Sequence, residues 1–329
     1  MPSLKEIKGR IGSVQSTLKI TSAMKLVASA KLRKAQQAIE GMRPYERKLQ
    51  EIMAHVLSMK GAESALASYG APAPSEEEAP RRPRIAIVAM ASNSSLCGAF
   101  NANVVRLTLE TLRELDDAGV TVYSIGRKMA DAMKKVGYSS PADLTALADK
   151  PSYAEASTLA EKLMDDFREG RLDRVELIYN HFVSSAKQVP VRETLLPMVP
   201  QMAGQAGHDN DILPGGHNGD IIPGGHNGDI IPGGRDNVIP GLTGDPDYIL
   251  EPSAETLLAD LLPKSLKLKF FTALLDSNAS EHAARTVAMQ TATDNGEDLL
   301  QELTLQYNKP RQQKITSEIL DLAGGVQQE

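Results

Sequence analysis

Beginning at Leu4, apolar residues recur at steps that alternate three and four. The series runs Leu4, Ile7, Ile11, Val14, Leu18, Thr21, Lys25, Ala28, Leu32, Ala35, Ile39 and Met42, and ten of these twelve sites are apolar. A mean step of 3.5 keeps all of them on one narrow seam of a helix, the stripe that packs against another helix rather than the broad face that seats on a globular core. The pattern resumes at Leu49, Met53, Val56 and Leu57, so residues 1–60 are expected to act as one helical unit. Over residues 3–58 such a helix extends roughly 80 Å at about 1.5 Å per residue. A rod of that length cannot be buried inside a chain of 329 residues. Pro44 is the only proline between Pro2 and Pro72, and its missing N–H and ring clash predict a kink or local break near residues 41–44.

The other end of the chain has the same character. Over residues 264–323, Leu266, Phe270, Leu274, Ala284, Ala288, Leu299, Leu303, Ile315, Ile319 and Leu322 fall at helical spacing. Residues 279–293 are rich in Ala, Thr and Ser, small side chains that let another helix approach closely. Pro310 is expected to interrupt this second helix. Two such helices enclosing a domain are natural partners, and the economical arrangement is an antiparallel coiled coil.

Between them, β-rich runs alternate with amphipathic ones: RIAIVAMA from Arg84, a helix over residues 103–118, VTVYSI from Val120, a helix over 153–169, and RVELIYNHF from Arg174. That alternation predicts crossover units on a largely parallel sheet. The fold class is therefore α+α/β, a long antiparallel coiled coil plus a Rossmann-like α/β domain over residues 84–200, with residues 246–262 returning from that domain to the C-terminal helix. The stretch YGAPAPSEEEAPRRPR over residues 69–84 has the Pro and clustered Glu of a flexible linker. A dinucleotide site needs a glycine-rich turn after the first strand. Here SNSSLCGAFN from Ser92 offers only Gly98.

Within residues 203–245 the chain repeats a nonapeptide: GHDNDILPG, GHNGDIIPG twice, then a shortened GRDNVIPG. His208, His217 and His226 recur in register with Asp211, Asp220 and Asp229. A calcium β-roll would need a second glycine where Asn218 and Asn227 stand, and Pro closes each unit where a strand should run. A His-based transition-metal site is a further reading. The favoured one is a solvent-exposed Pro/Gly-rich expansion loop, so no metal and no cofactor is assigned.

Composition narrows the function classes. A single cysteine, Cys97, forbids an intrachain disulfide and reads as a small buried turn residue rather than a nucleophile. No run approaches the ~18 consecutive apolar residues of a membrane span, so membrane association is expected only through partners. Aromatic residues make up 4% with no Trp, too few for base-stacking platforms. Charge is uneven: the first fifty residues hold eleven Lys or Arg against three acids in a chain of net charge -6. A solvated helix face accounts for that excess, as does an acidic partner surface, nucleic acid or anionic lipid. A basic coiled-coil nucleic-acid-binding or scaffold protein is thus the alternative reading, and a small-molecule enzyme on the α/β domain a third. The six His and the scattered acids form no catalytic triad.

Five separated blocks carry a family resemblance: TLKITSAMKLVASAKLRKAQ from Thr17, LCGAFN from Leu96, YILEPSAE from Tyr248, SEHAARTVAMQTATDN from Ser280 and LQYNKPRQQKITSEILDLAGG from Leu305. Together, and in this order, they resemble the gamma subunit of the F-type ATP synthase over nearly the whole chain outside the linker and the repeats. The resemblance implies a non-catalytic central rotor shaft that couples proton-driven rotation to ATP synthesis or hydrolysis. It implies as partners the alpha and beta subunits, the epsilon subunit and the ring of c subunits, with no nucleic acid. It further implies a peripheral place on the cytoplasmic face of the bacterial inner membrane.

The same resemblance places contacts with the alpha/beta hexamer on Met24, Arg285, Gln312, Thr316 and Asp321, and contacts with the c ring on Tyr248 and Glu251. The cluster Lys31, Arg33 and Lys34 suits an acidic loop on the surrounding hexamer, or simple solvation. Seam packing beside Lys25 accounts equally for Met24, and packing in the sheet domain for Tyr248. Arg285, amid small residues, is expected to meet a carboxylate on a beta subunit. The chain departs from the family in carrying Ser94 and Ser95 where a basic residue and a glycine usually precede Leu-Cys-Gly, Pro310 where Ala is common, and Gly325-Val326 where Gly-Ala is usual. It also lacks the cysteine pair of chloroplast members, so thiol regulation of that type is not expected.

Overall fold

The computed structural model describes residues 3–58, 69–70, 82–115, 118–198 and 253–325. In chain order they form α1 (Leu4–Ser58), β1 (Arg84–Met90), α2 (Phe100–Glu114), β2 (Gly119–Ile125), α3 (Arg127–Lys135), α4 (Thr145–Asp149), α5 (Tyr153–Arg168), β3 (Arg174–Phe182), β4 (Gln188–Leu196) and α6 (Ala254–Gly325).

The four strands lie in the order β2-β1-β3-β4. β1 runs parallel to both neighbours, with Val88 level with Tyr123 of β2 and Leu177 of β3. β4 is antiparallel to β3, with Tyr179 opposite Val191 and a bulge at Val175/Glu176. The largely parallel sheet is as expected; β4, α3 and α4 are additions to the sequence reading. β4 escapes the eye because its sequence QVPVRETLL is an edge strand, with Pro190 and alternating charges where a central strand would be apolar.

β1 divides two cores by strand alternation. Ile85, Ile87 and Ala89 point to one side, where Val104 and Leu112 of α2 and Met129 and Met133 of α3 cover them. Ala86, Val88 and Met90 point to the other side. There they meet Leu159 and Leu163 of α5, but also Leu49, Met53 and Val56 of α1 and Leu258, Leu262, Leu266, Phe270 and Leu274 of α6. The lower parts of both long helices are thus the second layer of the α/β domain.

Above the domain the two helices continue as an antiparallel pair. Three steps forward from Leu18 to Thr21 in α1 match three steps back from Gly296 to Thr293 in α6. Further down, Leu32 and Ala35 share a buried cluster with Ala283 and Ala279. The predicted seam positions in α1 are buried or half-buried at every site from Leu4 to Met42.

Four expectations require correction. α1 passes through Pro44 without a break. Pro44 is exposed, as is Glu40, whose carbonyl loses its helical partner, so the interruption falls on the solvent side while Leu49 and Met53 hold the next turns in the core. α6 likewise runs through Pro310, and through Pro263 near its start. The C-terminal helix also begins about ten residues earlier than residue 264: Ser253 caps it, accepting the Thr256 N–H at 3.2 Å, so residues 254–262 are helix rather than a separate return segment. The stretch expected to be a flexible linker is not free at its start. Tyr69 is buried, its carbonyl accepts the Met198 N–H at 2.7 Å, and Arg168 lies 5.8 Å above its ring. The nonapeptide repeats, residues 203–245, lie outside the described residues.

Candidate functional site

No group of three or more metal-ligating side chains occurs among the described residues. The crevice where β1, α2 and α6 meet, between Met90, Phe100, Leu274 and Glu281, encloses about 10 Å³, room for about one water molecule and not for a nucleotide. What the described part of the chain does offer is an exposed helical rod and a polar joint that ties it to the α/β domain.

The rod has two kinds of surface. Along the seam, small residues let the helices close up: a Cβ on Gly296 would sit 2.6 Å from Leu18 Cδ2, so any larger residue there requires the Leu18 side chain to move. Thr21 and Thr293 hydroxyls pair at 2.9 Å within the buried seam, which explains one of the two polar interruptions in the heptad pattern. Outside the seam, large apolar side chains face outward. Leu26 of α1 is 70% exposed and Leu305 of α6 71%. Ile20, Val27, Ile319 and Leu320 are also exposed, as are Leu299 and Ile315, so three positions of the helical spacing read from the C-terminal sequence lie at the surface rather than in the core. Beyond Pro310 every described side chain of α6 up to Leu320 is exposed, because in the register of Leu18 with Gly296 the first turn of α1, at Leu4, lies level with Pro310. This overhang of residues 311–325 is roughly 22 Å long.

The residues singled out from sequence distribute as follows. Met24 is half-buried beside half-buried Lys25, while Lys31, Arg33 and Lys34 are exposed. Gln312 and Thr316 lie on one exposed face of the overhang, joined by the Thr316 hydroxyl donating to the Gln312 carbonyl at 2.9 Å. Asp321 belongs to the last turns of α6, and its side chain lies outside the described residues, as do Tyr248 and Glu251 entirely.

Arg285 is placed differently from the expectation of a free guanidinium. It is buried, and its N–H groups donate to the Ser95 carbonyl at 2.6 Å, to Ser94 Oγ at 2.9 Å and to Glu281 Oε1 at 2.7 Å. The receiving turn is itself well determined. Ser92 Oγ accepts from Asn101 Nδ2 at 2.9 Å, the same amide approaches Cys97 Sγ at 3.1 Å, and Leu96 and Gly98 both take positive φ. Cys97 is buried in this turn, as its sequence context suggested.

Further ties run down α6. Asp276 accepts the Phe182 N–H at 3.0 Å and pairs with His181 at the end of β3. Asn278 donates to the Ala148 carbonyl of α4 at 2.9 Å. Lys269 pairs with Glu193 of β4 at 2.9 Å, and Lys267 with Glu161 of α5. Sequence reasoning missed all of these, since each is a lone polar residue whose partner is over seventy positions away. Burial pushes the Glu281 carboxyl upward against the opposing pull of Arg285. His282, next to it, is pushed down to about 4, first by burial and then by the positive charges of Lys31 and Arg285.

Comparison with known proteins places this arrangement. The ATP synthase family model matches residues 3–328. The chain is 50% identical over 328 residues to the ATP synthase gamma chain of Bacteroides fragilis, covering 99% of both, and 49% identical over 333 residues to that of Phocaeicola vulgatus, again covering 99% of both. In fold it is similar to a chain of the rotor of the Euglena gracilis mitochondrial ATP synthase, at 19% identity and a TM-score of 0.53 over 95% of this chain and 98% of that one. With a whole-chain family match, near-complete coverage of relatives at half identity, and a helix pair rooted in a small α/β domain, the chain belongs to the ATP synthase gamma chain family.

Proposed function

We propose that this chain is the central rotor shaft of an F-type ATP synthase and has no catalytic residue of its own. The observation that carries the reading is the exposed apolar surface of a rod that also overhangs its partner helix. Leu26, Ile20, Val27, Leu305 and Ile319 leave apolar surface along a slim rod, and a subunit wrapped around that rod would cover it. A surrounding alpha/beta hexamer supplies that cover. The antiparallel pair of α1 and α6 acts as a coiled coil stiff enough to transmit torque, and each beta subunit meets a different face of an asymmetric rod. Nucleotide affinity then follows rotation by differential contact, and rotation follows hydrolysis by the same linkage.

In this reading Met24, Lys31, Arg33, Lys34, Gln312, Thr316 and Asp321 face the hexamer. The α/β unit of residues 84–200, with the segment before α6 that contains Tyr248 and Glu251, is the foot on the c ring, beside the epsilon subunit. The basic excess of α1 then serves acidic loops of the hexamer and not nucleic acid. No helix among the described residues is long and apolar enough to cross a membrane, and attachment runs through the c ring on the cytoplasmic face of the bacterial membrane. The test is reconstitution: the purified chain alone hydrolyses no ATP, and mixing it with alpha and beta subunits yields a complex whose hydrolysis rotates a probe fixed to the α/β domain. A complex that hydrolyses ATP with the probe stationary would refute the shaft.

A further inference from the structure

The shaft reading leaves one question open that the geometry answers: how a twisting force applied to the α/β domain reaches the helix pair. The shared apolar core below Leu274 joins the two, but apolar contacts have no preferred direction and resist sliding weakly. Directional resistance has to come from hydrogen bonds between groups fixed on both sides.

Arg285 is the highest such group on α6. Its guanidinium spans from the helix to the turn after β1, with Nη1 on the Ser95 carbonyl and Nη2 on Ser94 Oγ, while Glu281 one helical turn below holds Nη2 from the other side. The turn cannot swing away with it, because Asn101 pins Ser92 and Cys97, and Asn180 at the centre of β3 donates to the Phe100 carbonyl at 3.2 Å. Gly98 brings the turn close to the helix, where a Cβ would stand 3.9 Å from Ala288 Cβ. The titratable and charged groups facing the clamp are Glu281 and the neutral His282 on α6, Lys31 on α1 and Asp149 on α4.

We infer that Arg285, held by Glu281, is a positioning residue that locks the 94–98 turn onto α6 and so stiffens the joint between foot and shaft against rotation, rather than reaching out to the hexamer. The serines fit this role. Ser94 presents a neutral acceptor, and a cationic side chain at the same position would set like charge against Arg285. Because Arg285 and all three of its acceptors are in one chain, the lock travels with the rotor through every step.

This inference rests on the shaft reading, and one experiment separates the two. In the assembled complex, with the hexamer immobilised and a probe on the α/β domain, the spread of probe angle at rest reports torsional stiffness. Wild type must first rotate on ATP, and failure there sinks the shaft reading. Given rotation, Arg285→Ala is expected to widen the angular variance at least twofold, Ser94→Arg to do the same by charge repulsion, and Arg285→Lys to recover part of the stiffness through its remaining donor. Hydrolysis by the complex should stay within about twofold of wild type in all three. Variance unchanged in both Arg285→Ala and Ser94→Arg overturns the lock. A loss of hydrolysis in Arg285→Ala at unchanged variance also overturns it, returning the residue to a hexamer contact. If Arg285→Ala fails to assemble, Ser94→Arg and Glu281→Gln decide by the same readout.

Discussion

The same two helices live in two different environments along their length. Below about Leu274, α1 and α6 present wide apolar faces to the sheet and to α5, and Leu258, Leu262 and Phe270 are wholly buried. Beyond about Ala288 the pair is two helices thick, its seam setting Leu18 of α1 against Gly296 of α6, and much of its apolar surface faces outward. The lower half is fixed by volume, the upper half by register. A root needs mass around it, whereas a rod turning inside a bore needs a slim, regular section.

That contrast can be broken by substitution, beginning where the largest effect is expected. Phe270→Ala removes a fully buried ring from the lower core and should cost about 3–5 kcal/mol in denaturant unfolding. An effect below 1 kcal/mol would mean that the two halves are held alike. Acid should come next. His282 is neutral in the fold and pushed down to about 4, whereas in the unfolded chain it titrates near 6.5, so the unfolded state binds the extra proton between those values. Stability from this group is therefore full above pH 6.5 and falls as the pH drops toward 4, by on the order of 3 kcal/mol at most. His282→Gln should flatten that segment of a stability-pH curve, and an unaltered slope would refute the assignment.

Register sensitivity is the property of the upper half. Gly296→Val drives a side chain into Leu18 and should destabilise by about 1–3 kcal/mol. Leu18→Ala in the same chain should restore part of the loss, measurable as a double-mutant coupling. Thr293→Val leaves Thr21 without its buried partner, at about 1 kcal/mol. Smallest of all, Ile319→Ser on the overhang should shift the stability of the isolated chain by no more than about 0.5 kcal/mol while weakening its association with the hexamer. A large stability loss there would show that the outward face has a contact within the chain.

The elements that the sequence makes legible are those with a repeating signal. The 3.5-residue seam of α1 and the apolar runs of β1 and β3 are visible because many residues repeat one instruction. Pro44 and Pro310 misled because a proline's local penalty is small beside the packing on either side of it, provided that the freed carbonyl faces water. Ser253 is a residue type favoured at a helix start, and its hydroxyl accepts the Thr256 N–H. Arg285 could be marked as unusual, amid Ala and Thr, but not aimed. Its two acceptors in the turn are about 190 positions away, and a guanidinium in one sequence context serves a neighbour within the chain as readily as one outside it.

The pairing of Leu18 with Gly296 has a consequence for biosynthesis. The two lie 278 residues apart, so α1 leaves the ribosome long before the helix it pairs with exists. At about 5–20 residues per second its seam waits on the order of 14–56 s for cover. During that interval the nascent chain displays a sticky stripe of Leu, Ile and Val, the kind of surface on which chaperones act and at which premature self-association begins. The upper pair therefore cannot close until α6 has been made, and the lower turns of α6, which pack into the α/β domain, are synthesised before the turns that cover this stripe.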